Sequence, residues 1–237
     1  MKTTIILISG KAQAGKDTLC DYLIKQIHNF TKYSIKKYSF ADPLKQFCKD
    51  VFDLTDQQLW GDNSSKESDT HICWGNLPFA EDKIRYLYAE TIKVNIDGWP
   101  NSRIFNQPMS SRHFLQTFGT ELIRKIYPDC WARATLKAIQ KEKCDYAIIG
   151  DGRFPNEIDI FSSYDPIVIR LTRNILNYNH KSELALDNYN WSKIKNFYLI
   201  DNSKITQTEK EMKVDNVLGY LWDADSLLFK TKEPNVH

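Results

Sequence analysis

The segment Gly10-Lys11-Ala12-Gln13-Ala14-Gly15-Lys16 has the spacing G-x-x-x-x-G-K and follows closely on the apolar run Ile5-Ile6-Leu7-Ile8. That arrangement leaves the backbone few choices. The apolar run predicts a buried strand over residues 3–9. Leu19, Leu23 and Ile27 recur every four residues with Ile24 beside them, so residues 16–29 predict a helix with one buried stripe. Only a tight loop fits between the two, and its glycines let the backbone curl until successive N–H groups point inward. Those N–H groups, the positive end of the helix and the Lys16 ammonium make a cradle for phosphate oxygens. Strand, loop and helix in this order are the context that makes the motif specific. Gly10, Lys11, Ala12, Gln13, Ala14, Gly15, Lys16, Asp17 and Thr18 are thus the expected ATP-binding residues.

The motif departs from its usual form at one position. A serine or threonine normally follows the lysine and holds Mg²⁺ through its hydroxyl. Here Asp17 follows, and then Thr18. A carboxylate is a good hard-oxygen ligand for Mg²⁺ but sits close to phosphate charge. Asp17 and Thr18 both stay candidates, together with Asp151.

Further apolar runs alternate with helical patterns. Residues 33–40 alternate and predict a second strand. Asp42 followed by Pro43 predicts a helix start, with Asp42 as the N-cap, running to about residue 54. Ser110 or Ser111 caps a segment through 126 that is interrupted near Gly119, and Asp129 caps another through about 141. Residues 146–150 and 167–172 are continuous apolar runs of the kind buried on both faces of a parallel sheet. Residues 197–200 predict a last strand, followed by a helix over 206–218. Strands alternating with helices imply an α/β fold: a P-loop-type parallel sheet with helices on both faces. The chain reads as one domain over 1–237. Within it, 55–109 is too long for a structureless loop and reads as an inserted substrate-side subdomain, with helix around 82–91. Its Trp60, Trp74 and Trp99 are expected to form a small core. Residues 173–190 are polar and without period, as suits a lid.

Charge and composition exclude several classes. The net charge is +2, with 26% charged residues, which lacks the dense basic face of a nucleic-acid binder. The first apolar run is shorter than the roughly 7–15 residues of a signal segment. No stretch approaches the roughly 20 residues of a membrane span. Cys20, Cys48, Cys73, Cys130 and Cys144 show no C-x-x-C spacing, so reduced thiols and a cytoplasmic location are expected.

Phosphoryl transfer between nucleotides needs cations to hold anionic groups in line and a metal to bridge donor oxygens. Asp151 follows an apolar strand, as an acid that orients Mg²⁺ would. Arg153 lies two residues on, within reach of a phosphate, or of an ion pair with Glu157. Arg170 and Arg173 flank the end of the next strand, and lid arginines can swing over phosphates. Asp42, Lys45, Arg112 and Gln116 are candidates for holding an acceptor nucleotide, Arg124 less so. His180 and Glu183 fall in the lid without a metal-ligand cluster.

Several pieces add to the loop: Phe40-Ala41-Asp42-Pro43-Leu44-Lys45; Leu115-Gln116-Thr117-Phe118-Gly119-Thr120-Glu121-Leu122 with Trp131; Asp151-Gly152-Arg153 with Asn156-Glu157; and His180-Lys181-Ser182-Glu183. In this order the chain resembles the bacteriophage deoxynucleoside monophosphate kinase family over roughly residues 3–220. The resemblance implies a nucleoside monophosphate kinase fold with a mobile lid. It also implies transfer from ATP to a deoxynucleoside monophosphate with Mg²⁺ as cofactor, and a homodimer. Lys16, Asp151, Arg153 and Arg173 are the catalytic candidates; Asp42, Lys45, Arg112, Gln116, Asp151 and Arg153 would bind the acceptor. Three other readings stay open: a kinase acting on dephospho-coenzyme A or phosphomevalonate, a GTPase-like switch, and a passive nucleotide binder. Asn202-Ser203-Lys204-Ile205 does not match the Asn-Lys-x-Asp guanine motif that the switch would need.

Overall fold

The structure is a computed structural model that describes residues 2–73, 107–173 and 181–229, beyond 219 for the backbone alone. The chain divides into two compact units, Met1–Ser39 with Ala138–His237, and Phe40–Lys137.

The first unit is built on a five-stranded parallel sheet. Its strands are β1 (Thr4–Ser9), β2 (Ile35–Tyr38), β3 (Tyr146–Gly152), β4 (Ile167–Leu171) and β5 (Asn196–Ile200), in the order β2-β3-β1-β4-β5. This is the α/β class that the sequence predicts. β1 lies at the centre because its alternate residues serve both faces. Ile6 and Ile8 join Leu19, Cys20, Leu23 and Ile27 of the helix Lys16–Phe30, together with Val214, Val217 and Leu218 of the helix Gln207–Phe229. Leu7 is also fully buried and approaches Gly152, where a Cβ would stand 2.8 Å from its Cδ2.

Each buried Leu or Ile contributes about 1.5–3 kcal/mol. A helix cap is worth about 1 kcal/mol. Burial therefore suffices to anchor the helix Lys16–Phe30, which begins at Gly15 with no side-chain cap. Its first N–H groups are left without a side-chain partner from the cap position.

Several boundaries differ from expectation, each for a visible reason. β2 is the short edge strand; its pairing with β3 stops at Tyr38 opposite Ile149, so 33–40 is too long. β3 runs on to Gly152, because Ser9 pairs with Gly152 past a register shift in β1. Asp151 thus lies inside a strand rather than after it. The helix Gln207–Phe229 passes through Gly219 instead of ending at 218. A mid-helix glycine costs only about 1 kcal/mol, and no proline follows before Pro234.

The second unit has its own core of Leu44, Cys48, Leu54, Leu59, Ile72, Met109, Phe114, Phe118 and Leu122. Phe52 meets Phe114 and Phe118 edge-on, with ring centroids 5.0 and 5.3 Å away. The helix Asp42–Phe52 starts one residue earlier than the sequence reading has it. Ala41 is the N-cap, and the Asp42 carboxylate accepts instead from Trp60 Nε1 at 3.0 Å. Trp60 is 39% exposed and stands outside the core. Trp74, Trp99 and the expected helix at 82–91 lie outside the described residues.

Ser110 caps the helix Ser111–Phe114, which continues as a π-helix over Leu115–Ile123 and returns to α over Arg124–Ile126. The expected interruption near Gly119 is therefore a widened turn and not a break. Gly119 is required there: a Cβ would stand 2.2 Å from Leu44 Cδ2.

Candidate active site

The loop Gly10–Gly15 joins β1 to its helix in a conformation that uses its glycines. Gly10 and Gly15 have φ of 155° and 88°, and Gln13 also takes the left-handed region at 58°. A Cβ on Gly10 would meet Leu171 O at 3.1 Å and Ala14 Cβ at 3.2 Å. Lys16 is buried and folds back over the loop, its Nζ donating to Gly10 O at 2.8 Å and Lys11 O at 2.7 Å. Burial first, and Arg153 second, pull its pKa down to about 8, against the partial support of Asp17 and Asp151. A lysine held this way is poised to exchange weak carbonyl partners for an anion.

An anionic group already occupies the cradle. Glu183 Oε2 accepts from the Ala12 N–H at 2.6 Å, and Oε1 pairs with the Arg153 guanidinium. The Glu183 side chain is only 7% exposed. Four residues on, Asp187 pairs with Lys11 at 3.3 Å and with Arg170 at 3.2 Å. The pocket among Gly10, Lys11, Arg153, Arg170 and Glu183 keeps only ≈ 10 Å³ of free volume, scarcely one water. The carboxylate thus stands in for an anion in front of the loop. A charge-assisted hydrogen bond exceeds a neutral one by about 1 kcal/mol. Glu183→Gln should therefore tighten pyrophosphate binding roughly fivefold by calorimetry. An unchanged or weaker constant means that the carboxylate does not compete for that place.

Arg153 is set by its own backbone. Buried Glu157 accepts from the N–H groups of Arg153 and Phe154 at 2.8 and 3.0 Å, so it orients the turn rather than pairing with the guanidinium. Asp151 accepts from Ser39 Oγ at 2.5 Å. Arg170 is engaged by Ser9 Oγ at 3.2 Å, by Asp187, and by the Trp191 ring at 5.1 Å, with burial lowering its pKa. The backbone N–H of Arg173 donates to Asn202 Oδ1 at 2.9 Å, while Asn202 Nδ2 donates to Ala14 O at 2.8 Å. Asp17 is exposed and faces Lys37 at 3.6 Å, and Thr18 is exposed. Cys20 packs against Gly150, and burial pushes its thiol up to about 12, so it is a core thiol and not a nucleophile.

Lys16, Asp17, Asp151 and Arg153 are close enough to act on one another electrostatically. No group of three metal-ligating side chains occurs among the described residues. Asp17 and Asp151 are the carboxylates whose charge acts on the loop lysine. That donor set suits a hard cation sharing its shell with phosphate oxygens and water. Among the described residues no helix is long and apolar enough to cross a membrane.

The remaining candidates belong to the second unit. Lys45 Nζ lies 5.7 Å from the Trp60 ring that Asp42 also contacts. Arg112 pairs with Glu67 and donates to Asn63 Oδ1 at 3.0 Å. Gln116 is exposed on the π-helical stretch. His180 and most of the first half of 173–190 lie outside the described residues. Sequence reasoning missed Ser39, Asp187, Asn202 and Lys210 as partners of the loop, and gave Glu183 no role there. One local signal existed, the Thr206-x-x-Glu209 capping pattern that places Lys210 on a helix start.

No family model matches the chain. It is similar to a protein of Acanthamoeba polyphaga mimivirus named "Putative deoxynucleotide monophosphate kinase". The two are 28% identical over 182 residues, covering 76% of this chain and 80% of the relative. It is also similar to the protein of Escherichia phage T5 named "Deoxynucleoside-5'-monophosphate kinase", 25% identical over 181 residues, covering 65% of this chain and 70% of the relative.

Proposed function

We propose that this chain transfers the γ-phosphoryl group of ATP to a deoxynucleoside monophosphate, giving ADP and the deoxynucleoside diphosphate. The observation that carries the reading is the anion-ready loop: an uncapped helix start, a back-folded Lys16, and Arg153 paired with a carboxylate at the Ala12 amide. The names of both relatives support the acceptor class.

As the donor phosphates enter, the Ala12 amide and Arg153 pass from Glu183 to phosphate oxygens. Lys16 leaves the Gly10 and Lys11 carbonyls for the β- and γ-phosphates. Charge then spreads over the equatorial oxygens of the phosphoryl group in flight, and Lys16, Arg153 and Arg173 balance it. No covalent intermediate on the protein is required. Asp151, held by Ser39, and Asp17 or Thr18 would hold Mg²⁺, which would supply positive charge against the donor phosphates. Asp42, Lys45, Arg112 and Gln116 are proposed to hold the acceptor, and 173–190 to act as the lid.

Coupled ADP-release assays with each of the deoxynucleoside monophosphates test this. At least one should be turned over at rates typical of kinases, about 1–100 per second. Turnover of dephospho-coenzyme A or phosphomevalonate, with none for any deoxynucleoside monophosphate, would overturn the acceptor assignment and leave the donor site standing.

A further inference from the structure

Lys210 is a buried cation that the reading above leaves unused. It lies in the first turn of the helix Gln207–Phe229 and is 5% exposed. Lysines are almost never buried to this degree unless paired. Among the described residues no carboxylate is hydrogen-bonded to its ammonium. The charged groups it feels are the neighbouring Glu211 and Arg173, and Arg173 carries the same sign. Burial above all, and then Arg173, lowers its pKa against the pull of Glu211.

Its position is specific. A Cβ on Gly15 would stand 3.3 Å from Lys210 Nζ, so the ammonium rests against the last glycine of the loop. Three sets of bonds hold it there. Thr206 and Glu209 form a reciprocal cap, with the Thr206 N–H and Oγ1 on Glu209 Oε2 and the Glu209 N–H on Thr206 Oγ1. Asn202, itself 5% exposed, ties the preceding turn to Ala14 O and to the Arg173 N–H. Asp201 accepts from Thr172 Oγ1 at 2.7 Å and from Ser203. The first turn of the last helix is thereby sewn to the loop and to the end of β4.

The loop thus carries cations at both ends. Arg153 and Lys11 stand by Gly10–Ala12 and are neutralised by Glu183 and Asp187. Lys210 stands by Gly15, and among the described residues no acid is bonded to it. A nucleotide's phosphate chain laid along the loop would meet both.

We propose that Lys210 is a donor-binding residue whose ammonium contacts the phosphates of ATP that are not transferred, at the Gly15 end of the loop. The inference rests on the donor-site reading above. Because those phosphates persist in ADP, Lys210 binds substrate and product alike, lowering KM more than it raises kcat.

Lys210→Met removes the charge, keeps the length and relieves the cost of burying a charged side chain. Calorimetry at neutral pH should show ADP and pyrophosphate binding weakened about tenfold. The melting temperature without nucleotide should be unchanged or raised, and the KM for the acceptor should stay as it was. A lysine with a merely structural role would lower the melting temperature and leave both affinities within twofold, which overturns the inference. If the unaltered protein binds neither ADP nor pyrophosphate, the donor-site reading itself falls and takes the inference with it.

Discussion

Lys16→Ala is expected to lower kcat by about a thousandfold while leaving the melting temperature close to that of the parent protein. Removing one preorganised donor from a developing anion costs about 10²–10³ in rate, and Lys16 is the charge proposed to face the transferring group. Stability should survive because Lys16 contributes little to it. Its ammonium bonds only carbonyls of its own loop, and burial disfavours its charge. Stopped turnover with an intact melting curve separates this outcome from unfolding; turnover within tenfold of the parent would remove Lys16 from the chemistry.

The same lysine sets a pH dependence. Its folded pKa, about 8, lies below the ordinary 10.5. Between those values the unfolded chain binds more protons than the folded one, so Lys16 makes stability rise with pH across that window. Below about 8 both states are protonated, and the cost of burying the charge is fully present. Function runs the other way. Without nucleotide the ammonium deprotonates above about 8, so kcat/KM for ATP should fall on that alkaline side. Arg153, Asp17, Asp151 and Cys20 are the charged or titratable groups that act on it. Lys16→Arg keeps its charge throughout and should flatten the alkaline limb; a limb that persists there belongs to another group.

Arg153→Ala is expected to cost about 10²–10³ in kcat for the same electrostatic reason. It should also destabilise the free protein, unlike Lys16→Ala. Glu183 is nearly buried and would lose its cationic partner, keeping among the described residues the Ala12 N–H. A buried group left partly unsatisfied costs about 1–3 kcal/mol. The double variant Arg153→Ala with Glu183→Gln should recover that stability in thermal melts and stay as slow as the single one. Recovery of turnover in the double variant would mean that the slow rate came from an unpaired carboxylate and not from the missing guanidinium. Arg153→Lys should rescue only in part, since an ammonium lacks the planar fork that grips two oxygens.

Much of the framework could be read without coordinates because its signals are local. The two glycines of Gly10–Gly15 announce a backbone that only glycine adopts easily, and both do take positive φ. Leu19, Leu23 and Ile27 announce their helix by spacing, and all three are buried. Residues 146–150 and 167–172 lack polar alternation because both faces of their strands are covered, and both strands appear. Local patterns failed where length depends on a partner. β2 ends where β3 ceases to pair with it, and β3 runs on past a shift in β1, which carries Asp151 into a strand. Asp42 looked like a cap beside Pro43, yet the Trp60 indole captured its carboxylate.

The company of the loop was decided by tertiary structure alone. Ala12 meets Glu183 across 171 residues, Asn202 reaches Ala14 across 188, and Ser39 meets Asp151 across 112. No spacing rule links such positions; the order β2-β3-β1-β4-β5 brings them to the loop's rim. The sequence by itself determined the strand, the glycine turn at Gly10–Gly15 and the helix after it, because these are consequences of short-range sterics and periodicity. Only the folded sheet decided which acids pair with the cations at the loop and which lysine stands against Gly15, because burial and pairing are properties of neighbours in space.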